Sequence, residues 1–409
     1  MNTLPFSFSV NGLKNLSKQL TLDLIRFTPG GVSRADLARR TGLTRAAVTG
    51  IVGELVHSGL IREAEAGPTA GGRRPVLLEV NPEGGYVVGL DVGVSNVNLV
   101  LADFSTRVID ELDIAFDSHQ MPDIAIEQID ENLRQLLNKA GLRLDQVKSI
   151  GVGLPGPVLL DKDLLTSQML MPSWENFPVR ARMQALWQVP VSLNSSAALG
   201  ALGEWASGAG RGEQDLAYVK VGSEISTGLM LGGHLYRGTN GYAGEIGHMS
   251  VSDERALCVC GKYGCLSAVA GGIAIARQAR EAVYAGRRTQ LADLDAVDAI
   301  TARDVANAAS MGDLAAQQIV NRAGRYIGVA VAQLVNILNP GMIVIGGGIS
   351  QMGDMLIEPI RQAVREHSWH PAARSVRIMA AMLGKRSTGM GAVIQALNLA
   401  LPGLLEPDR

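Results

Sequence analysis

The sequence predicts an α/β protein: a small N-terminal winged helix-turn-helix precedes two α/β lobes that face a cleft. Three observations carry that expectation. The first eighty residues hold three helical patterns and a β-ribbon, two glycine-turned hairpins echo each other further on, and all three cysteines cluster with a histidine. At 409 residues, 47% hydrophobic and 19% charged, the chain has core enough for two or three domains. No basic segment followed by an apolar stretch opens it, which argues against a secretory signal. No apolar run approaches the roughly 18 residues of a membrane span. The nearest, 327–338, is broken by Gln333 and Asn336, so no membrane insertion is expected. Clustered thiols without disulfide partners fit a reducing cytoplasm. Residues 1–80 contain ten Lys and Arg against six Asp and Glu, while the whole chain has net charge −2. A basic head on an acidic body is compatible with a polyanionic partner, but does not decide it.

The first helix is read from Leu13, Leu16, Leu20, Leu24 and Phe27 at helical spacing, ended by Thr28-Pro29-Gly30-Gly31. Ser33-Arg34-Ala35-Asp36 is a capping box that opens a second helix through Arg40. Thr41-Gly42-Leu43 makes the turn, and Thr44 caps a third helix whose Val48, Ile51, Val52 and Leu55 form one apolar stripe. Its other face is lean: Arg45, Ala46, Thr49 and Gly50. Such a face suits a helix entering a groove about 12 Å wide, with Arg45 and Thr49 reaching phosphates or base edges. A strand from Leu60 to Glu63 and its return from Pro75 to Val80 flank Gly71-Gly72-Arg73-Arg74, a wing tip suited to a minor groove. The candidate contacts to double-stranded operator DNA are Ser33, Arg34, Thr44, Arg45, Ala46, Thr49, Arg73 and Arg74. An interaction module for the helices and a solvated loop for the arginines are the alternatives.

In the body, Val87–Leu101 reads as strand, turn, strand, with Gly93 at the turn, and Ala217–Leu231 repeats the pattern around Gly222. Two such hairpins point to duplicated lobes. Glycine turns of this kind let backbone N–H groups approach phosphates, although either turn alone is a weak signal. His248, Cys258, Cys260 and Cys265 offer one imidazole and three thiolates, the ligand set of a closed tetrahedral zinc site. With four protein ligands no position is left for a reactive water, so the expected zinc is structural. Asn339-Pro340-Gly341 introduces a buried strand that ends at Gly346-Gly347-Gly348, and Gly384–Leu399 makes an apolar C-terminal helix expected to pack back on the first lobe.

These motifs together resemble the ROK family of repressors, open reading frames and sugar kinases. The carriers are Asp91-Val92-Gly93, Gly151–Val158, Asn194–Gly200, Gly244-Glu245-Ile246-Gly247-His248, the cysteine cluster, and Ile343–Ser350. The N-terminal unit is similar to that of the family's repressor branch, the sugar-responsive regulators, those for xylose among them. The resemblance implies an actin-like ATPase (ribonuclease H-like) fold with a sugar in the cleft. It implies three parts: residues 1–84 for DNA, 85–195 completed by 386–409 as lobe 1, and 196–385 as lobe 2. It also matches Gly153, Pro155, Asn194, Ser195, Glu245, His248 and Ser267 to the sugar pocket. The family's kinases use an Asn-Asp pair whose Asp is the general base; here the pair is Asn194-Ser195. Glu224 stands in the second phosphate turn, where a carboxylate opposes a triphosphate. The expectation is therefore a cytoplasmic repressor, a homodimer or tetramer without enzymatic activity, that answers to a carbohydrate. The rivals are an ATP-dependent sugar kinase, and a repressor sequestered by a protein partner.

Overall fold

The computed structural model describes residues 10–28, 30–64, 75–159, 164–165, 170–294 and 296–405. Its N-terminal unit contains α1 (Val10–Arg26), β1 (Val32–Ser33), α2 (Arg34–Thr41), α3 (Arg45–His57), β2 (Ile61–Ala64) and β3 (Leu77–Val80). Capping fixes the helix starts: the Ser33 hydroxyl accepts from the Asp36 N–H at 3.1 Å, and that of Thr44 from Ala47 at 3.2 Å. Gly42 ends α2 at φ 72°, a left-handed turn that costs glycine little. The apolar stripe packs inward, with Leu37, Val48, Val52 and Leu55 fully enclosed. The three strands pair antiparallel in the order β1-β3-β2, which makes the base of the wing.

The body holds two five-stranded sheets. The first is built from β4 (Tyr86–Val92), β5 (Asn96–Asp103), β6 (Val108–Ala115), β7 (Val147–Leu154) and β10 (Val191–Ser195). A two-stranded ribbon, β8 (Val158–Leu159) with β9 (Leu164–Leu165), follows β7. The second sheet uses β11 (Leu216–Val221), β12 (Ile225–Leu231), β13 (His234–Tyr236), β14 (Met342–Gly346) and β15 (Arg377–Ala380). The orders are β10-β7-β4-β5-β6 and β13-β12-β11-β14-β15. Each sheet is an antiparallel meander of three strands, then a fourth parallel to the first and a fifth parallel to the fourth. The duplication expected from two hairpins thus extends to all five strands.

The helices are α4 (Pro122–Lys139), α5 (Val179–Trp187), α6 (Ser196–Ser207), α7 (Leu266–Ala270), α8 (Gly272–Tyr284), α9 (Ala302–Ser310), α10 (Leu314–Leu338), α11 (Asp354–His367), α12 (His370–Ser375) and α13 (Ser387–Leu405). α6 follows the last strand of the first sheet yet packs on β11 and β12 of the second. α13 follows the last strand of the second sheet and packs on β4 and β7 of the first. The two helices also cross each other closely. A side chain at Gly391 would sit 1.8 Å from the Leu199 carbonyl, and one at Gly203 would sit 2.1 Å from that of Ser387. One apolar cluster joins Leu22, Ile25 and Leu78 of the N-terminal unit to Val87, Val100 and Phe104 of the first sheet and Val393 and Leu397 of α13. The N-terminal unit is therefore seated on the body, not tethered to it.

Candidate DNA-binding face, ligand cleft and metal cluster

Burying Val48, Val52 and Leu55 leaves Thr44, Arg45, Ala46 and Thr49 exposed on the opposite side of α3. The Thr49 hydroxyl donates to the Arg45 carbonyl at 2.8 Å. Two expected contacts are engaged within the unit instead, one buried and one at its surface. Ser33 is 7% exposed and its hydroxyl donates to the Asp36 carboxylate at 2.6 Å, because an N-cap must face its own helix. Arg34 pairs with Glu63 of β2 at 2.8 Å, tying helix to ribbon. Arg73 and Arg74 lie outside the described residues.

The C-terminal ends of β4 and β11 meet between the lobes, where parallel strands of open α/β sheets present ligand sites. There the Lys220 ammonium donates to both Asp91 oxygens, at 3.0 and 3.2 Å, and lies 3.4 Å from the Thr388 hydroxyl. The Ser196 hydroxyl donates to Asp91 at 2.7 Å, and Thr388 donates to the Ser196 carbonyl at 3.1 Å. The side chains of Lys220 and Asp91 are 21% and 15% exposed, so the pair is largely withdrawn from water. The sequence motifs include Asp91 and Ser196 but give no role to either, nor to Lys220 or Thr388. A lysine inside the apolar strand Leu216–Val221 was the available signal.

Several expected pocket residues are spent internally. Ser195 caps α6, its hydroxyl accepting from Ala198 N–H at 3.2 Å, while the adjacent Ser196 faces Asp91. Asn194 is 4% exposed; its amide donates to Gln395 at 2.8 Å and its oxygen accepts from Ser195 N–H at 3.0 Å. Ser267 is 7% exposed and its hydroxyl accepts from Ile225 N–H at 3.0 Å. Gly153 is covered, since a side chain there would meet Thr388 and Leu199, whereas Pro155 is half-buried. Glu245 and His248 are half-buried on the lobe-2 side. Burial, then the charge of nearby Glu224, pushes Glu245 up to about 7. Glu224 itself is raised by burial, and its Oε1 is enclosed without a hydrogen-bond partner. The turn bearing it offers carbonyls, not N–H groups, to its neighbour: Gly222 and Ser223 accept from Gly272 and Ile273 at the start of α8.

His248, Cys258, Cys260 and Cys265 converge, with their ligand atoms all within 4.8 Å of one another, a group that could hold a metal ion. Cys258 Sγ lies 3.5 Å from His248 Nδ1, and Cys260 Sγ lies 3.7 Å from Cys265 Sγ. Gly264 makes the loop close: at φ 75°, a side chain there would sit 2.1 Å from the Ser252 carbonyl. Burial and the neighbouring thiols push Cys265 up to about 12. No helix among the described residues is long and apolar enough to cross a membrane.

This architecture has known counterparts. An IclR helix-turn-helix domain matches residues 22–65. The xylose repressor of Caldicellulosiruptor bescii is 30% identical over 94% of this chain and 96% of its own length. A crystal structure of a ROK family transcriptional regulator, a homologue of the E. coli Mlc protein, aligns with a TM-score of 0.80 and 27% identity, covering 96% of this chain and 99% of that one. A ROK family glucokinase from Streptomyces griseus, solved with glucose and AMPPNP, aligns with a TM-score of 0.67 and 26% identity over 77% of this chain and all of its own. The ROK family itself matches residues 87–398, from β4 into α13, and the chain belongs to that family.

Proposed function

We propose that this protein is a sugar-responsive transcriptional repressor that binds operator DNA through α3 and releases it when a carbohydrate enters the cleft. The carrying observation is the union of the exposed Arg45–Thr49 face with a two-lobed body through one continuous core. Relatives that span nearly the whole chain are named as repressors, xylose repressors among them, which makes a pentose such as D-xylose the first sugar to try. In the cleft, Glu224 and Glu245 offer carboxylates to sugar hydroxyls, and Pro155 forms part of the wall. A charge-assisted hydrogen bond of this kind contributes about 1.5–3 kcal/mol. Operator half-sites related by a two-fold axis would require a homodimer.

Phosphoryl transfer is not part of this reading. Asp91 is occupied by Lys220, the positions at the start of α6 carry the hydroxyls Ser195 and Ser196, and the Glu224 turn presents carbonyls. A serine hydroxyl is no general base near neutral pH without a partner. Incubation with ATP and a panel of hexoses and pentoses should therefore give no sugar phosphate. Turnover of any of them at about one per second, an ordinary kinase rate, would reverse the assignment.

We assign the cysteine cluster to structural zinc. In a tetrahedron with Zn–S of about 2.3 Å, two sulfurs lie about 3.8 Å apart and sulfur and nitrogen about 3.6 Å apart. The distances of 3.7 and 3.5 Å in the cluster fit. His248, Cys258, Cys260 and Cys265 would hold the ion, which supplies no more than a clamp between the Glu245 loop and the Cys258–Cys265 loop. The test of the whole reading is operator affinity measured by anisotropy against a sugar panel. Release by one sugar supports it; release by none of them transfers weight to control by a protein partner.

A further inference from the structure

α6 and α13 share a feature beyond their crossing. Both begin in the cleft and both reach the N-terminal unit. α6 starts at Ser196, whose hydroxyl donates to Asp91, and near its end Trp205 packs edge-on to Phe27, with ring centres 5.4 Å apart and planes at 67°. α13 carries Thr388 at its cleft end, and one face further along presents Asn398, which accepts from Arg26 at 2.9 Å. At 1.5 Å per residue, Ser196 to Trp205 spans about 14 Å and Thr388 to Asn398 about 15 Å.

Arg26 and Phe27 are consecutive at the C-terminal end of α1, and the Arg26 guanidinium lies 4.5 Å over the Phe27 ring. Arg26 is held from both sides, by Asp23 of its own helix and by Asn398 of α13, each at 2.9 Å. Its side chain is 5% exposed, and Nε and Nη1 are enclosed without partners. A guanidinium kept dry and only half satisfied is expensive, and its partnering changes with any small shift of α13 against α1. The glycine crossings leave α6 and α13 no slack to absorb such a shift, so they move as one packed unit.

We propose that a rearrangement in the cleft reaches the DNA-binding unit through α6 and α13, which deliver it to Phe27 and Arg26 at the end of α1. The relay rests on the repressor reading for its purpose but not for its physical test. The Asp91–Lys220–Ser196–Thr388 cluster is its input, because it ties both helix starts to both sheets. Asn398 and Trp205 are its output, and they act as positioning residues with no place on the DNA surface.

Hydrogen exchange on the full chain tests the relay without any sugar. Lys220→Met and the milder Thr388→Val should each speed exchange of the amides at 22–28 at least about threefold more than that of the amides at 48–55. Parent-like exchange at 22–28 in whichever variant folds would overturn the relay. A second arm uses D-xylose and operator DNA. Asn398→Ala should keep parent operator affinity and the parent's xylose-induced thermal shift, yet lose at least half of the xylose-induced release. Parent-like release by Asn398→Ala would overturn the relay by itself. A parent that holds operator at every xylose concentration counts against xylose as effector, and the exchange arm then decides the relay.

Discussion

The two lobes repeat one topology strand for strand, but at one equivalent position they carry opposite charges. Asp91 stands two residues before Gly93 at the hairpin turn of the first lobe, and Lys220 stands two residues before Gly222 at that of the second. Duplication would give these strands like residues; instead the charges meet across the cleft at 3.0 Å. The apolar pattern specifies the sheets and tolerates any residue at the strand ends, so those ends are where duplicated halves diverge. Only the second lobe adds the cysteine loop, between β13 and α7. The second lobe would thus be a frame with a clamp.

The largest effect should come from that asymmetric loop. Purified protein should carry about one zinc per chain. Cys258→Ala, or a strong chelator, should remove it and lower the unfolding midpoint by several degrees, since structural metal binding is folding free energy. Elemental analysis and calorimetry check both, and a metal-free protein with an unchanged midpoint would refute the clamp.

Next in size is the charge pair that distinguishes the lobes. Lys220→Met leaves Asp91 unpaired and should cost about 3–5 kcal/mol in denaturant unfolding. Asp91→Asn with Lys220→Met should recover most of it, because an uncharged pair needs no compensation. If the single and double variants were equally destabilised, the pair would not be what joins the lobes.

Smaller effects belong to the N-terminal unit. Arg45→Ala should weaken operator binding by about 1–3 kcal/mol if it reads a base edge. Arg73→Ala with Arg74→Ala should weaken binding to all sequences and flatten the salt dependence. Thr44→Ala should cost about 1 kcal/mol of stability through the lost cap. Gel shifts over a salt series separate the first two, and denaturant unfolding reads the third.

What was legible in the sequence follows the range of the interactions. Ser33 and Thr44 announced helix starts because a cap is a contact between residues three apart. The hairpins around Gly93 and Gly222 and the metal cluster were equally local. The boundaries implied by the resemblance put α6 with lobe 2 and α13 with lobe 1, whereas no local pattern announces the close crossing of the two helices. Lys220 meets Asp91 from 129 residues away, and no local pattern pairs them. Ser195 and Ser196 show why a motif alone misplaces a side chain. Both are serines at a strand-to-helix junction, and only the helix register decides that Ser195 caps α6 while Ser196 faces the cleft. Asn194 and Ser267 were read as open to a ligand because a sequence does not show that Gln395 and Ile225 already hold them.

The central claim is that a carbohydrate held by the lobes loosens the grip of α3 on DNA. The direct measurement is operator affinity with and without the effective sugar, for the parent and for Glu245→Ala. The account predicts at least tenfold weaker binding by the parent when sugar is present, a coupling of about 1.4 kcal/mol. It predicts near-parent operator affinity and no release for Glu245→Ala, because the proposed role of that residue is to hold the sugar and not to touch DNA. Equal release in parent and variant would contradict the placement of the sugar, and affinity unmoved by any sugar would contradict the claim itself.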